Sequence, residues 1–422
     1  MGAMARPRQP FAHIVILILA VMVVLFGLTW ANYRFAVQEP GGNDFIPYWV
    51  GTRLFWLQGQ SPYGPETSLE IQKMIFGRPA HSGEDQHRFV YPFYTIVIVG
   101  PFATIGDYNL ARAAWMTFLE LSAFGLAAVS ISLARWKLSK RMLGFLFVFT
   151  AFWYHGFRPV INGNAAVFCA LLIAAAFLLI REERDVLAGS LLALATIKPQ
   201  AVVLLAVYVL IWAASRRRWK LIGSFLGSLG LLVVLSSFLS PGWLVENMRQ
   251  ILAYPGYTLP GSPGAIFVVW WPTIGKQLGW ALTVLLAGLL LWEWRAGMAV
   301  DFRWFFWTSY LTLLLTNLIG IRTATENYII LYPALVLVLA TWDQQGGRVG
   351  RWLVAASYLL LFFGLWGLFL ATIQRGDQLI QSPVMFFPLP IFLLVGMVSI
   401  RRSAVHSPHR DSLGRSIRLF GT

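Results

Sequence analysis

The sequence predicts an all-α polytopic membrane protein: a bundle of about twelve transmembrane helices with interfacial helices in its first external loop. Three observations carry that prediction. The 422 residues are 58% hydrophobic and only 12% charged, with a mean hydropathy of +0.65, outside the range of ordinary soluble domains. Apolar runs recur along the whole chain, several near the ~20 residues that a bilayer crossing needs. The formal net charge of +15 gathers in short loops between those runs, at Arg135-Trp136-Lys137 with Lys140-Arg141, at Arg216-Arg217-Arg218-Trp219-Lys220, and from Arg401-Arg402 into the tail. This is the positive-inside pattern, and it argues against nucleic acid as the partner of the charge. The 19 tryptophans are expected where many helix ends meet a membrane interface, so they identify no binding site by themselves.

The first run, Phe11 to about Ala31, follows Arg6 and Arg8 and ends at Asn32-Tyr33-Arg34-Phe35 without a small-residue cleavage pattern, which reads as a retained helix. An external loop, residues 32–106, comes next. It is too polar to span, and its 91–105 portion is short for a crossing and reads as a re-entrant or surface helix. Further spans are expected at 107–134, 142–155, 163–180, 186–198, 200–214, 221–239, 273–294, 303–321, 328–341, 352–373 and 385–400. Several are shorter than a full crossing, as happens where helices stop at a cavity. With both termini cytoplasmic, twelve spans put most of the 33 Lys and Arg inside, whereas counting 91–105 as a crossing moves the early basic clusters outside. Three parts are expected: residues 1–240, a first module; residues 241–400, a long external loop acting as a mobile lid or lipid-tail guide plus five further spans; and residues 401–422, a basic cytoplasmic tail. Compact loops suggest a bacterial cytoplasmic membrane protein.

Chemistry concentrates on the external side. Gly41-Gly42-Asn43-Asp44 can turn sharply and sets a carboxylate at the membrane surface, just before the aromatic stretch Phe45-Ile46-Pro47-Tyr48-Trp49. Asp44 there is either a helix N-cap or an acid able to act on a group carried by lipid. Lys198 precedes Pro199 at a break between apolar helices, where a cation is costly unless an anion meets it; snorkelling to the interface is the other reading. Arg158, Arg88 and Arg322 are further candidates for holding phosphate, and Asn43, Tyr91, Asn164, Glu326 and Asn327 for holding substrate, although Glu326-Asn327 can also simply cap the next helix. Glu120, inside the second span, either faces a cavity or is neutral and hydrogen-bonded. Cys169, the only cysteine, excludes an intrachain disulfide and a thiolate cluster. His81 and His87 beside Glu84 and Asp85 have irregular spacing for a metal site, and no metal or other cofactor is expected.

Asp44 after the first span, Leu57-Gln58-Gly59-Gln60-Ser61-Pro62-Tyr63, Phe89-Val90-Tyr91-Pro92, Gly163-Asn164 and Ala195-Thr196-Ile197-Lys198-Pro199 together resemble the polyprenyl-phosphate-sugar-dependent glycosyltransferases of the GT-C superfamily, in particular family 87, which contains mannosyltransferases. The likeness runs in order through about residue 215. It implies a GT-C fold and an inverting transfer of one sugar, mannose or another hexose or pentose, from a polyprenyl-phosphate donor to a lipid or glycan acceptor on the outer face, with Asp44 as the base. The family's Gly-Gln-x-Asn element stands here as Gly163-Asn164-Ala165-Ala166, and Thr325-Glu326-Asn327-Tyr328 occupies a loop that often carries histidines in mannosyltransferase members. A phosphate leaving group needs one carboxylate to take the acceptor's proton and cations to meet the developing charge, with no second carboxylate as nucleophile. The rival readings are a transporter or lipid flippase, which calls for ionisable residues deep in several spans and an internal repeat, and a non-catalytic assembly subunit.

Overall fold

Inside a bilayer every backbone polar group has to be paired within the protein, and the apolar runs meet that demand as helices. The computed structural model describes residues 9–259, 261–298, 302–319, 323–375 and 379–406. Along them run α1 (Gln9–Gln38), α2 (Phe45–Gln58), α3 (Pro65–Phe76), α4 (Thr95–Ala103), α5 (Tyr108–Ala134), α6 (Lys140–Phe152), α7 (Tyr154–Asn162), α8 (Ala166–Arg181), α9 (Asp185–Ala195) and α10 (Pro199–Ser215). The second half carries α11 (Trp219–Leu239), α12 (Trp243–Tyr257), α13 (Pro263–Trp270), α14 (Gly275–Gly297), α15 (Phe302–Thr316), α16 (Tyr332–Gln345), α17 (Gly347–Leu359), α18 (Leu365–Thr372) and α19 (Pro388–His406). A 3-10 turn, Thr325–Leu331, leads into α16, and a two-residue antiparallel ladder joins Gln374–Arg375 to Leu379–Ile380. Arg322 and the tail beyond His406 lie outside the described residues.

The all-helical class holds. Among the described residues seven helical stretches are long and apolar enough to cross a membrane, while α8, α9 and α10 are apolar but shorter. At 9 residues α4 is about 14 Å long, less than half a hydrocarbon core. The expected span 142–155 is in fact broken: α6 stops at Phe152 and α7 starts afresh at Tyr154, so Arg158 and Pro159 lie on a short helix rather than in a loop. Likewise α9 ends at Ala195 and α10 begins at Pro199, leaving Thr196, Ile197 and Lys198 in the break.

In the packing, α5 is central: it lies against α1, α8 and α16, while α8 and α11 flank α9, and α15 packs on α10 and α19. Side chains join the turns at one end of this bundle. Trp136 Nε1 donates to Asp343 at 2.8 Å, Arg181 to the Ser132 carbonyl at 2.8 Å, and Arg218 to the Ile180 carbonyl at 2.9 Å while also pairing with Asp185. Arg401 forks onto Glu293 at 2.9 and 3.1 Å. The opposite end gathers the first loop, α7, the Thr196–Lys198 break, α12 and the Thr325 turn.

Candidate active site

Asp44 is held by a turn that only glycine permits. Gly42 has φ +81°, and a Cβ there would lie 2.5 Å from the Tyr108 hydroxyl. That hydroxyl donates to the Gly41 carbonyl at 2.8 Å, and Arg112, buried on α5, donates to the carbonyls of Glu39 (2.7 Å) and Ile161 (3.0 Å). The turn is thereby tied to both α5 and α7. The Asp44 N–H donates to the Asn162 carbonyl at 3.1 Å. Asp44 stands at the head of α2 with helical φ and ψ and its side chain caps nothing, which removes the N-cap reading.

Its carboxylate is met by Asn164 instead, whose Nδ2 donates to Asp44 Oδ2 at 3.0 Å. Asn164 Oδ1 accepts from the Ala166 N–H at 2.9 Å, so the amide can face Asp44 only with its donor. Gly163, at φ +75°, sets up this arrangement: a Cβ would come within 2.4 Å of Phe45 Cβ, and its carbonyl accepts from Trp115 Nε1 at 2.8 Å. The Trp115 ring stacks on Phe45 at 5.5 Å, fixing the start of α2 against α5.

Lys198 is 3% exposed and does not snorkel. Its Nζ donates to Asn327 Oδ1 at 2.9 Å and lies 5.8 Å from the centre of the Tyr91 ring, which stacks on Tyr48 at 4.0 Å. Asn327 is oriented in turn by its Nδ2 bond to Thr323 at 2.8 Å. Arg158 and Glu326 form a loose pair at 3.4 Å, and Asn162 Nδ2 donates to the same Glu326 oxygen at 3.1 Å. Glu326 lies inside the 3-10 turn and caps no helix through its side chain. Two carboxylates, two cations and three amides thus share one crevice at the end of the bundle.

Asp44 still has some surface open to solvent but is surrounded by protein. This burial, reinforced by the charge of Glu326, pushes its pKa up to about 6, while Lys198, the Asn164 hydrogen bond and Arg158 pull it back. Burial also lowers the Lys198 pKa, against the charge of Asp44. A carboxylate poised near neutrality beside cations that are not locked onto it can accept a proton and still leave positive charge for an incoming anion.

Of the residues singled out from sequence, Asp44, Lys198, Arg158, Tyr91, Asn164, Glu326 and Asn327 converge here, and Asn43 sits in the turn beside Asp44. Arg88 does not: it bonds Gln86 Oε1 and stacks on Tyr257 at 4.6 Å, in a separate surface cleft. Glu84 is gripped by both nitrogens of Arg78 at 2.8 Å, and among the described residues no three His, Cys, Asp or Glu side chains stand close enough to hold a metal. Glu120 accepts from Asn32 at 2.8 Å across the α1–α5 contact, the hydrogen-bonded alternative. Cys169 is a core residue that donates to the Ala195 carbonyl at 3.2 Å.

Sequence reading passed over Arg112, Asn162 and His155. His155 is fully buried, and since a carbonyl only accepts, its Nδ1–H donates to the Thr325 carbonyl at 3.0 Å. Burial lowers its pKa to about 3, so the ring is neutral and braces the turn carrying Glu326. The signal was available for two of them, since Arg112 and His155 each interrupt an apolar run.

Residues 89–317, more than half of the chain, match the model of glycosyltransferase family 87. Asp44 precedes the matched region, and Glu326 and Asn327 follow it. A search of curated proteins and a search of solved structures each returned no match. With helices fit to cross a membrane and a carboxylate–cation crevice at one end of the bundle, the chain belongs to glycosyltransferase family 87.

Proposed function

We propose that the protein moves a single sugar, mannose or another hexose or pentose, from a polyprenyl-phosphate donor to a lipid or glycan acceptor on the outer face of the cytoplasmic membrane, with inversion and with Asp44 as general base. The observation that carries this reading is the crevice itself, where a carboxylate with a pKa of about 6 stands beside Lys198 and Arg158. The acceptor hydroxyl gives its proton to Asp44 as its oxygen forms a bond to the anomeric carbon. The bond from that carbon to the phosphate oxygen breaks on the opposite face, and polyprenyl phosphate leaves with the electron pair. Lys198, swinging from Asn327, and Arg158, only loosely paired to Glu326, meet the negative charge that develops on the phosphate. Glu326, Asn327, Asn43 and the Tyr91 ring remain to contact the sugar. The chemistry requires no metal or other cofactor.

Twelve crossings with both termini cytoplasmic fit the side-chain links better than seven. Trp136 and Asp343 touch, so the turn after α5 and the turn after α16 lie at one end; counting only the seven long helices would put them on opposite faces. The short helices then have a physical cause: α6 and α9 stop early because the crevice enters there, and it is lined by irregular backbone, which a membrane tolerates only beside a cavity. In this arrangement α2 and α3 lie at the outer interface, in a bacterial cell envelope.

The test is transfer by purified protein and by Asp44→Asn, offered a panel of polyprenyl-phosphate sugars with a lipid extract as acceptor. The expected result is consumption of one donor by the wild type, and at least ~100-fold slower turnover by a variant that folds and binds that donor. Equal transfer by both proteins removes Asp44 as the base, and no consumption of any donor removes the donor class.

A further inference from the structure

A second concavity lies outside the crevice and is unused by the mechanism above. It has a volume of about 380 Å³ and is bounded by Tyr63, Ser68, Leu69, Gln72, Arg88 and Gln250, bringing together α3, α12 and the segment before Tyr91. At Leu69 it meets another cleft of about 320 Å³, whose walls include Gln58, Gln60 and Glu66. Each alone is at the small end of ligand sites, ~300–1,000 Å³; joined, they make a groove along both sides of α3.

The groove is built and held rather than incidental. α12 is docked on the first loop: Ser61 donates to Glu246 at 2.8 Å, Asn247 donates to the carbonyls of Val90 (3.1 Å) and Tyr91 (3.0 Å), and the Gln86 N–H donates to the Tyr257 carbonyl at 3.2 Å. Tyr63, on the groove wall, donates through its hydroxyl to the Tyr91 carbonyl at 2.7 Å. The Tyr91 ring faces Lys198, so the groove and the crevice are separated by one residue.

We propose that this groove binds the carbohydrate of the acceptor, an uncharged glycan whose reactive hydroxyl reaches Asp44 past Tyr91; the proposal rests on the glycosyltransferase reading. Chemistry selects the class. Amide side chains offer a donor and an acceptor side by side, as vicinal sugar hydroxyls require, and the side chains of Gln58 and Gln60 have no hydrogen-bond partner among the described residues. Leu69, exposed at the ridge between the two halves, provides an apolar edge for the C–H face of a sugar ring. The one guanidinium on these walls, Arg88, is stacked on Tyr257 and bonded to Gln86 in the first cleft, while Glu66 and Glu70 line the second, a charge balance that does not concentrate phosphate. The groove therefore suits a neutral polyol and not the donor's anionic end.

Leu69→Trp, a change at an exposed position that fills the junction, is the test, made on the full chain in lipid nanodiscs. In the transfer assay the variant is expected to raise the acceptor KM about tenfold, the loss of one good set of contacts, while the donor KM stays within about twofold. Independently, saturation-transfer NMR with mannotriose, maltotriose and cellotriose is expected to label ring protons of at least one with wild type and with Asp44→Asn, and none with Leu69→Trp. An unchanged acceptor KM, equal labelling by wild type and Leu69→Trp, or no labelling of any trisaccharide overturns the proposal. If no donor is consumed yet labelling depends on Leu69, the groove stands as a carbohydrate site and only the donor reading falls.

Discussion

Asp44 is tuned by neighbours of both signs, which makes its pH behaviour a test of the crevice residue by residue. Because the base must be ionised, kcat/KM is expected to fall as pH drops through about 6. Glu326 raises the Asp44 pKa and Lys198 lowers it. Glu326→Gln removes the like charge, so the acid limb should move to lower pH; Lys198→Met removes the opposite charge, so the limb should move to higher pH, on top of a lower plateau from lost phosphate stabilisation. A pH–rate profile of the three proteins checks both directions, and shifts of the same sign would mean that Asp44 is not the titrating group. At this scale the sequence was legible where a residue type was out of place: an acid after two glycines, a lysine before a proline in apolar surroundings. What it did not carry was whether the Asp44 side chain caps α2. That depended on Asn164, 120 positions away, which takes the carboxylate away from the α2 amides.

At the scale of elements, apolar periodicity located the helices but not their interruptions. The run 142–155 looked continuous because neither glycine nor proline marks the junction of Phe152 with Trp153, and the polar signal of His155 comes only at its end. At the break Trp153 is extended and the chain doubles back on the end of α6, where Gly156 packs so tightly that a Cβ would lie 2.0 Å from the Thr150 carbonyl oxygen. Arg88 was misplaced for a related reason, since its loop is long enough to reach either the crevice or α12, and only the Tyr257 contact decides. The turn between α7 and α8 is where the fold and the site meet most closely. Gly163→Ala combines a left-handed backbone with a 2.4 Å clash against Phe45, and it is expected to abolish folding or lower Tm sharply. Trp115→Phe keeps the stacking but leaves the Gly163 carbonyl unpaired, which should cost about 1–3 kcal/mol and lower the transfer rate through a displaced Asn164. Thermal unfolding in detergent measures both; a Trp115→Phe protein with unchanged Tm and rate would show that the turn is held by other contacts.

For the molecule as a whole, the question is how many times the chain crosses, and the single cysteine makes it answerable. Cys169 is buried in the core, so Cys169→Ala provides a background without thiols, into which one cysteine at a time can be placed. Helix length alone gives seven candidate crossings, whereas the proposed twelve add α6, α9 and their neighbours as crossings cut short beside the site. The link of Trp136 to Asp343 needs the turn after α5 and the end of α16 on one face, as the proposed twelve crossings have them and seven do not, and the basic clusters lie at that same end. In intact cells, a membrane-impermeant maleimide is expected to label Gln58→Cys and Ser382→Cys, and to label Lys137→Cys, Arg217→Cys and Gln345→Cys only after the cells are opened. Gln345→Cys decides between the counts: seven crossings from a cytoplasmic start place it outside, twelve place it inside. Labelling of that cysteine in intact cells would break the two-ended arrangement on which Asp44 and Glu326 share one outward-facing crevice.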